Sequence, residues 1–281
     1  MPSRAPFALA TLHGRALDGV LDLPDEPGAR PAVIVAHGFK GFMEWGFYPY
    51  LAELLAARGF TVVRFNFSGA GMRPGDEVVT DLDAFRYATV SGDLADLTAL
   101  VEAVLEGVVG SGRVDSERLG LFGHSRGGGT ALLVAASALG RERVRSLVTW
   151  SAIARYDRLS PEENALWRSR GEIPVLVART GQVLAVADEV LADLETHRQA
   201  FDLESAAARR RAPWLLVHAG DDQRVPLAEG RALAAAAAPP SELVVLERAG
   251  HTLGATHPFV GPTPDLIQAL NATQTWFRRT L

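Results

Sequence analysis

Hydrophobic positions along this chain follow two alternating patterns. Short, continuous apolar runs rich in β-branched and aromatic residues are typical of buried strands, and they alternate with longer runs that repeat an apolar position every three or four residues, as amphipathic helices do. The expected strands cover residues 7–12, 15–23, 32–37, 61–67, 118–123, 144–150, 213–219 and 242–246. This alternation predicts an α/β fold whose eight-stranded, mostly parallel sheet is flanked by helices.

Helices are expected between most of the later strands, at residues 45–58, 93–109, 127–139, 226–238 and 263–279. The first two strands have only His13-Gly14 between them, which predicts a hairpin.

The regular alternation stops between residues 151 and 212. Inside this stretch, two β-type runs at 173–179 and 182–187 surround Thr180-Gly181 and predict a small hairpin, followed by a helix at 188–201. An insertion of this size between two core strands is typical of a lid or cap over a site. We therefore expect a core formed by residues 1–150 and 213–281 and a cap formed by residues 151–212.

Composition narrows the possible functions. Hydrophobic residues make up 48% of the chain, enough for a large core, and the net charge of −5 argues against a nucleic-acid partner. The chain has no cysteine, so we expect neither disulfides nor a thiol nucleophile. No apolar run approaches a membrane span, and the first twelve residues are too short and polar-flanked for a secretory signal; we expect no membrane contact and a cytoplasmic location.

The strongest chemical signal is the segment Gly123-His124-Ser125-Arg126-Gly127, between an expected strand and an expected helix. A Ser placed at a sharp strand-to-helix turn is lifted out of the sheet beside helix amides, and glycines on both sides avoid steric clashes. The pattern predicts a nucleophile elbow with Ser125 as the nucleophile.

Three further loops follow expected strands. The loop His37-Gly38-Phe39-Lys40-Gly41 is expected to aim the Phe39 amide at the site, where it and the Arg126 amide would form an oxyanion hole. Asp222, in the loop after residues 213–219, is expected to orient a histidine, and Asp221 is expected to serve the turn. His251, after the last strand, is expected to be the general base.

These motifs, together with residues 65–71 (FNFSGAG), resemble the α/β-hydrolase superfamily of serine hydrolases, within it the dienelactone-hydrolase-like and acyl-esterase branch. The resemblance extends over roughly residues 7–279 and implies an α/β-hydrolase fold, a Ser/Asp/His triad and hydrolysis of carboxylic esters. Dienelactone hydrolases carry Cys at the elbow, whereas this chain has Ser125, which argues against dienelactone itself as the substrate. Feruloyl and cinnamoyl esterases with a similar loop are closer in chemistry.

The leading hypothesis is therefore a serine carboxylesterase that needs neither a metal nor another cofactor. Feruloyl and aryl esters are candidate substrates. A thioesterase, an amidase or a small peptidase would use the same triad, and a catalytically silent ligand-binding protein of the same fold is the alternative of another class. A small-molecule ester is the expected partner, and the sequence leaves monomer and homodimer open. Four aromatic residues are candidates for the substrate pocket: Phe42, Trp45, Trp150 and Trp167.

Overall fold

A computed structural model of the chain describes residues 3–11 and 14–281. The predicted turn residue His13 and the strand end at Leu12 lie outside the described residues. The described strands are β1 (Ser3–Ala10), β2 (Ala16–Leu23), β3 (Arg30–Ala36), β4 (Thr61–Phe65), β5 (Val114–His124), β6 (Val144–Trp150), β7 (Glu172–Val177), β8 (Gln182–Ala187), β9 (Trp214–Ala219) and β10 (Ser241–Leu246).

Ten α-helices occur within the described ranges. They are α1 (Tyr48–Ala56), α2 (Leu82–Arg86), α3 (Val90–Leu105), α4 (Arg126–Ala136), α5 (Ala138–Arg143), α6 (Pro161–Arg170), α7 (Glu189–Thr196), α8 (Leu203–Arg209), α9 (Leu227–Ala236) and α10 (Pro264–Thr280). None of these helices is long and apolar enough to cross a membrane.

The main sheet has eight strands in the order β1-β2-β4-β3-β5-β6-β9-β10. The pairs β1/β2 and β2/β4 are antiparallel, and the remaining neighbours are parallel. The expected mostly parallel, eight-stranded sheet is confirmed. Two apolar clusters pack on its two faces, one around β5 and α4 and the other around α1 and α10.

The strand order reverses direction at β3, whose neighbours are β4 on one side and β5 on the other. In open parallel sheets, the loops at the carboxyl ends of the strands beside such a reversal diverge and leave a crevice for a ligand. The loops that follow β3, β5, β9 and β10 all leave the sheet at the same end, the carboxyl end of the strands, because these strands run parallel.

Several helix boundaries differ from the expected ones for local reasons. Helix α3 begins three residues early because the Thr89 hydroxyl accepts a hydrogen bond from the Gly92 amide and caps it. The single helix expected at 127–139 is two helices, since Ser137 adopts an extended backbone and caps α5. The sequence reading missed the three short or polar helices α2, α6 and α8.

The segment 151–212 contains the antiparallel hairpin β7/β8 and the helices α6, α7 and α8. The hairpin, α6 and α7 supply Trp167, Val186 and Leu191 to a third apolar cluster, to which Phe42 and Phe85 contribute from outside this segment. Helix α8 differs, because its residues Leu203 and Ala206 are buried in the cluster of the main sheet. By its packing, α8 therefore belongs with the core, although it lies before residue 212.

Candidate active site

Ser125 lies at the strained turn between β5 and α4. Its backbone has φ 55° and ψ −122°, a region that non-glycine residues rarely adopt. The flanking glycines allow this turn: a methyl group on Gly127 would lie 2.3 Å from the His37 carbonyl oxygen, and one on Gly123 would lie 2.4 Å from the Gly127 carbonyl oxygen. The close approach of neighbouring backbone thus requires glycine at both positions, and this packing determines the position of Ser125.

A continuous hydrogen-bonded chain joins the three expected side chains. The Ser125 Oγ atom is 3.0 Å from His251 Nε2, and His251 Nδ1 is 2.8 Å from Asp222 Oδ2. The other oxygen of Asp222 accepts hydrogen bonds from the backbone amides of Arg224 and Val225, at 2.8 and 2.9 Å. Because the two backbone amides occupy Oδ1, the carboxylate is held with Oδ2 toward the imidazole, where it accepts the hydrogen bond of His251 Nδ1.

The electrostatic environment keeps Asp222 ionised. Burial raises the pKa of this carboxyl, but the hydrogen bond and charge of His251 and the amides of Val225 and Arg224 together lower the pKa to about 2. The neighbouring Asp221 has a different place, since its Oδ1 atom accepts a hydrogen bond from the Gly250 amide at 2.8 Å. It therefore fastens the loop that carries the imidazole.

Phe39 and Arg126, whose amides are the expected oxyanion donors, line the same cavity as Ser125 and come from different loops. Arg126 opens helix α4, so its amide has no acceptor within the helix. The Phe39 amide makes no hydrogen bond with any of the residues described. The Arg126 guanidinium lies 5.4 Å from the centre of the Phe39 ring and donates to the Asp93 carboxylate at 2.7 Å. This side chain thus links the elbow to the loop after β3, the two segments from which the expected oxyanion donors come.

The loop after β3 is held by His37. Burial lowers the pKa of this histidine to about 4, so the ring is neutral near pH 7. Its Nε2 atom accepts a hydrogen bond from the Phe67 amide at 3.1 Å, and its Nδ1 atom therefore donates to the Gly38 carbonyl at 2.9 Å. This contact connects two of the sequence motifs, HGFKG and FNFSGAG, for which sequence reasoning found no mutual role.

A second buried histidine connects the remaining loops. Burial, with the nearby charge of His251, lowers the pKa of His124 to about 3. Its Nε2 atom donates to the His251 carbonyl at 2.9 Å, and its Nδ1 atom lies 3.4 Å from the Tyr48 hydroxyl. That hydroxyl also accepts a hydrogen bond from the Gly38 amide at 3.2 Å. Sequence reasoning missed Tyr48, because nothing in the pattern distinguishes it from other core aromatics.

Ser125 and His251 line two cavities. The larger has a volume of about 570 Å³ and lies below the segment 151–212. Its apolar walls come mostly from that segment, including its helix α7: Ile153, Tyr156, Leu159, Trp167, Ile173, Val175, Val186, Val190 and Leu194. The smaller has a volume of about 250 Å³ and is bounded by the loop after β3 and the end of the β7 strand.

The four aromatic pocket candidates divide evenly between lining a cavity and packing elsewhere. Trp167 lines the larger cavity and Trp45 the smaller one. Trp150 lines neither, because it is fully buried and its indole donates to the Thr273 hydroxyl at 2.9 Å on the α10 side of the sheet. Phe42 is also buried away from both cavities, beneath Arg179 and beside His257.

Among residues 3–11 and 14–281, no group of three or more His, Asp or Glu side chains is arranged to hold a metal ion.

A family model described as "Alpha/beta hydrolase family" matches residues 33–261. The chain belongs to this family. The matched region of this α/β hydrolase contains the elbow and the three further loops that carry the site. No curated protein matches the sequence.

Solved structures similar to this α/β hydrolase include esterases at low sequence identity. A putative hydrolase from Agrobacterium vitis has a TM-score of 0.75 at 18% identity, with 99% of each chain covered. Est1E from Butyrivibrio proteoclasticus with bound ferulic acid has a TM-score of 0.74 at 19% identity, with 98% of each chain covered. Dienelactone hydrolase from Anabaena variabilis has a TM-score of 0.63 at 18% identity, covering 100% of this chain and 99% of that one. At such identities the similarity concerns the fold.

Proposed function

We propose that this α/β hydrolase is a serine esterase that cleaves carboxylic esters through an acyl-enzyme on Ser125. The observation that carries the proposal is the hydrogen-bonded chain Ser125–His251–Asp222, with distances of 3.0 and 2.8 Å. Nucleophile, base and orienting carboxylate at such distances are the arrangement that nucleophilic acyl transfer needs.

In the proposed mechanism, His251 Nε2 takes the proton of Ser125 as the oxygen attacks the ester carbonyl. The negative charge that develops on the carbonyl oxygen is stabilised by the amides of Phe39 and Arg126. His251 then donates the proton to the leaving alcohol, and a water molecule, deprotonated by the same imidazole, hydrolyses the acyl-enzyme. Asp222 holds the imidazole in the required tautomer and stabilises its protonated form.

The larger cavity favours an apolar or aromatic group on one side of the scissile bond. Its walls are aliphatic and aromatic, and its volume lies within the range usual for small-molecule sites, roughly 300–1,000 Å³. Such a cavity suits a medium-length acyl chain or an aryl group. We propose that the hairpin β7/β8 with α6 and α7 acts as the cap, because these elements form the outer wall of this cavity.

The test is covalent labelling with a fluorophosphonate probe, compared between the wild-type protein and Ser125→Ala. Labelling that is lost in the variant, together with hydrolysis of p-nitrophenyl esters, supports the proposal. The same acyl group presented as an ester, a thioester and an anilide then separates an esterase from a thioesterase and an amidase. A folded protein that neither labels nor turns over any of them would contradict the proposal and favour a ligand-binding role.

A further inference from the structure

The smaller cavity beside Ser125 is lined by three cationic side chains and no acidic one among the described residues. The cations are Lys40 from the loop after β3, Arg179 from the turn between β7 and β8, and Arg224 from the loop after β9. Trp45 and Tyr48 supply aromatic surface to the same cavity. The chain as a whole carries a net charge of −5 and has a single lysine, so this local excess of positive charge is opposite to the overall balance.

Two of these cations make no ion pair with the residues described. The Lys40 ammonium donates to the Leu176 carbonyl at 3.2 Å and lies 6.0 Å from the centre of the Phe39 ring. The Arg224 backbone is engaged by Asp222, but its side chain is exposed at the cavity. Burial and, to a smaller extent, the charge of Arg224 lower the pKa of Lys40.

The third cation is fixed and only partly neutralised. Arg179 lies over the Phe42 ring at 4.8 Å and donates to the Glu77 carbonyl oxygen. Its nearest carboxylate atom is that of Glu77, at 3.9 Å, and the Glu77 side chain is 70% exposed. Water therefore weakens this pair, and the guanidinium remains a source of positive potential at the cavity wall.

The larger cavity contrasts with the smaller one in its charge. It shares Lys40 and Arg224, but it also exposes Asp157, and its arginines Arg126 and Arg158 are paired with Asp93 and Glu229. The smaller cavity differs in that Arg179 also lines it and that none of its lining residues is acidic.

We propose that the smaller cavity is an anion subsite, and that the preferred substrates are esters with an apolar part in the larger cavity and a carboxylate or similar anionic group on the other part, held by Lys40, Arg179 and Arg224. This inference rests on the proposed esterase function, because it places the scissile carbonyl at Ser125, between the two cavities. The cavity shape leaves open whether the anion is on the acyl or the alcohol side, and the two arms of the test distinguish them.

The test compares substrates that differ only in charge. In the acyl arm, the p-nitrophenyl hemiester of glutaric acid is compared with the corresponding glutaramic ester. In the alcohol arm, the butyrate ester of 4-hydroxybenzoate is compared with that of 4-hydroxybenzamide. Charge-assisted hydrogen bonds contribute more than neutral ones, so we expect kcat/KM to favour the anionic member of one pair by at least about tenfold at low salt. The preference should shrink at high ionic strength.

Three charge-neutralising variants localise the effect. Lys40→Gln and Arg224→Gln should each reduce the anionic preference several-fold, mainly through KM. Arg58→Gln removes the same charge just past the end of α1, at the opposite edge of the sheet, and should leave the preference unchanged. Arg224→Lys should retain part of it, because the charge remains.

The outcomes separate this inference from the proposed function. Equal hydrolysis of both members of each pair, or a preference that survives Lys40→Gln combined with Arg224→Gln, overturns the anion subsite while the esterase assignment stands. A protein that hydrolyses none of the four esters and does not label at Ser125 overturns the esterase assignment and this inference with it.

Discussion

Replacing Asp222 with Asn tests the arrangement of the site most directly, because the structure determines which way the new amide must face. Oδ1 of Asp222 accepts two backbone amides, from Arg224 and Val225, while Oδ2 faces His251 Nδ1. An Asn amide that keeps its oxygen toward the two backbone donors presents its NH₂ group to the imidazole. His251 Nδ1 must then accept, and its proton moves to Nε2.

In that tautomer the imidazole donates to Ser125 and cannot take its proton. The opposite orientation of the amide would face NH₂ toward two backbone donors. It would leave the buried Val225 amide unsatisfied, at a cost of about 1–3 kcal/mol, and the partly buried Arg224 amide without its acceptor. The wrong tautomer is therefore favoured, and by analogy with other Ser-His-Asp sites we expect kcat to fall by about 10⁴-fold, with KM little changed.

The assay is steady-state hydrolysis of a p-nitrophenyl ester, with circular dichroism to confirm folding. Asp221→Asn is the matched control, because an Asn oxygen can still accept the hydrogen bond that Gly250 donates to Asp221, and its kcat/KM should stay within a few-fold of wild type. If Asp222→Asn keeps more than a tenth of wild-type kcat, or if Asp221→Asn is the more damaging change, the assignment of the orienting carboxylate is wrong.

Three further predictions concern the elbow, the cap and a buried carboxyl. Gly127→Ala places a methyl group 2.3 Å from the His37 carbonyl oxygen, so we expect a lower Tm and loss of fluorophosphonate labelling; wild-type values for both would contradict the tight packing described. Trp167→Ala should shift the optimum of a p-nitrophenyl ester chain-length panel to longer acyl groups, because Trp167 lines the larger cavity, whereas Leu176→Ala, at an exposed position of β7, should not; an unchanged profile would refute this. Burial raises the pKa of Asp93 to about 6 against the opposing charge of Arg126, so this carboxyl ionises at a lower pH in the unfolded chain than in the folded protein. The Tm difference between wild type and Asp93→Asn should therefore shift against wild type as the pH rises from 4 to about 6. A difference that shifts in favour of wild type across this window would refute the reasoning.

The local sequence was sufficient for the sheet and for the position of each loop that carries the site. Buried parallel strands are continuous apolar runs bounded by turn residues, so the number of strands could be predicted from the sequence. The glycines around Ser125 indicated a tight turn that larger residues would not permit. The hairpin β7/β8 was also predictable, because Thr180-Gly181 separates two β-type runs. Helix boundaries were less accurate, since side-chain caps such as Thr89 decide them.

The aromatic pocket candidates show what sequence position could not decide. By sequence position, Trp150, at the end of the strand next to β5, was as good a pocket candidate as Trp167. The pleat of the strand directs its side chain toward α10, away from the site. Trp167 lies in a polar helix that sequence reasoning did not predict, and tertiary packing brings it to the larger cavity. Which face a side chain occupies depends on contacts with residues distant in the chain.

The sequence by itself determined the fold, the strained elbow and the order of Ser125, Asp222 and His251 along the chain, because each follows from backbone periodicity and from glycines at fixed local positions. Only the tertiary structure decided how the loops are held together, through the buried neutral imidazoles of His37 and His124. It also decided where positive charge collects: Lys40, Arg179 and Arg224 come from three separate segments and line one cavity only in the folded chain. Local propensity acts over a few residues, whereas a site assembled from four strand ends requires the packing of the whole sheet.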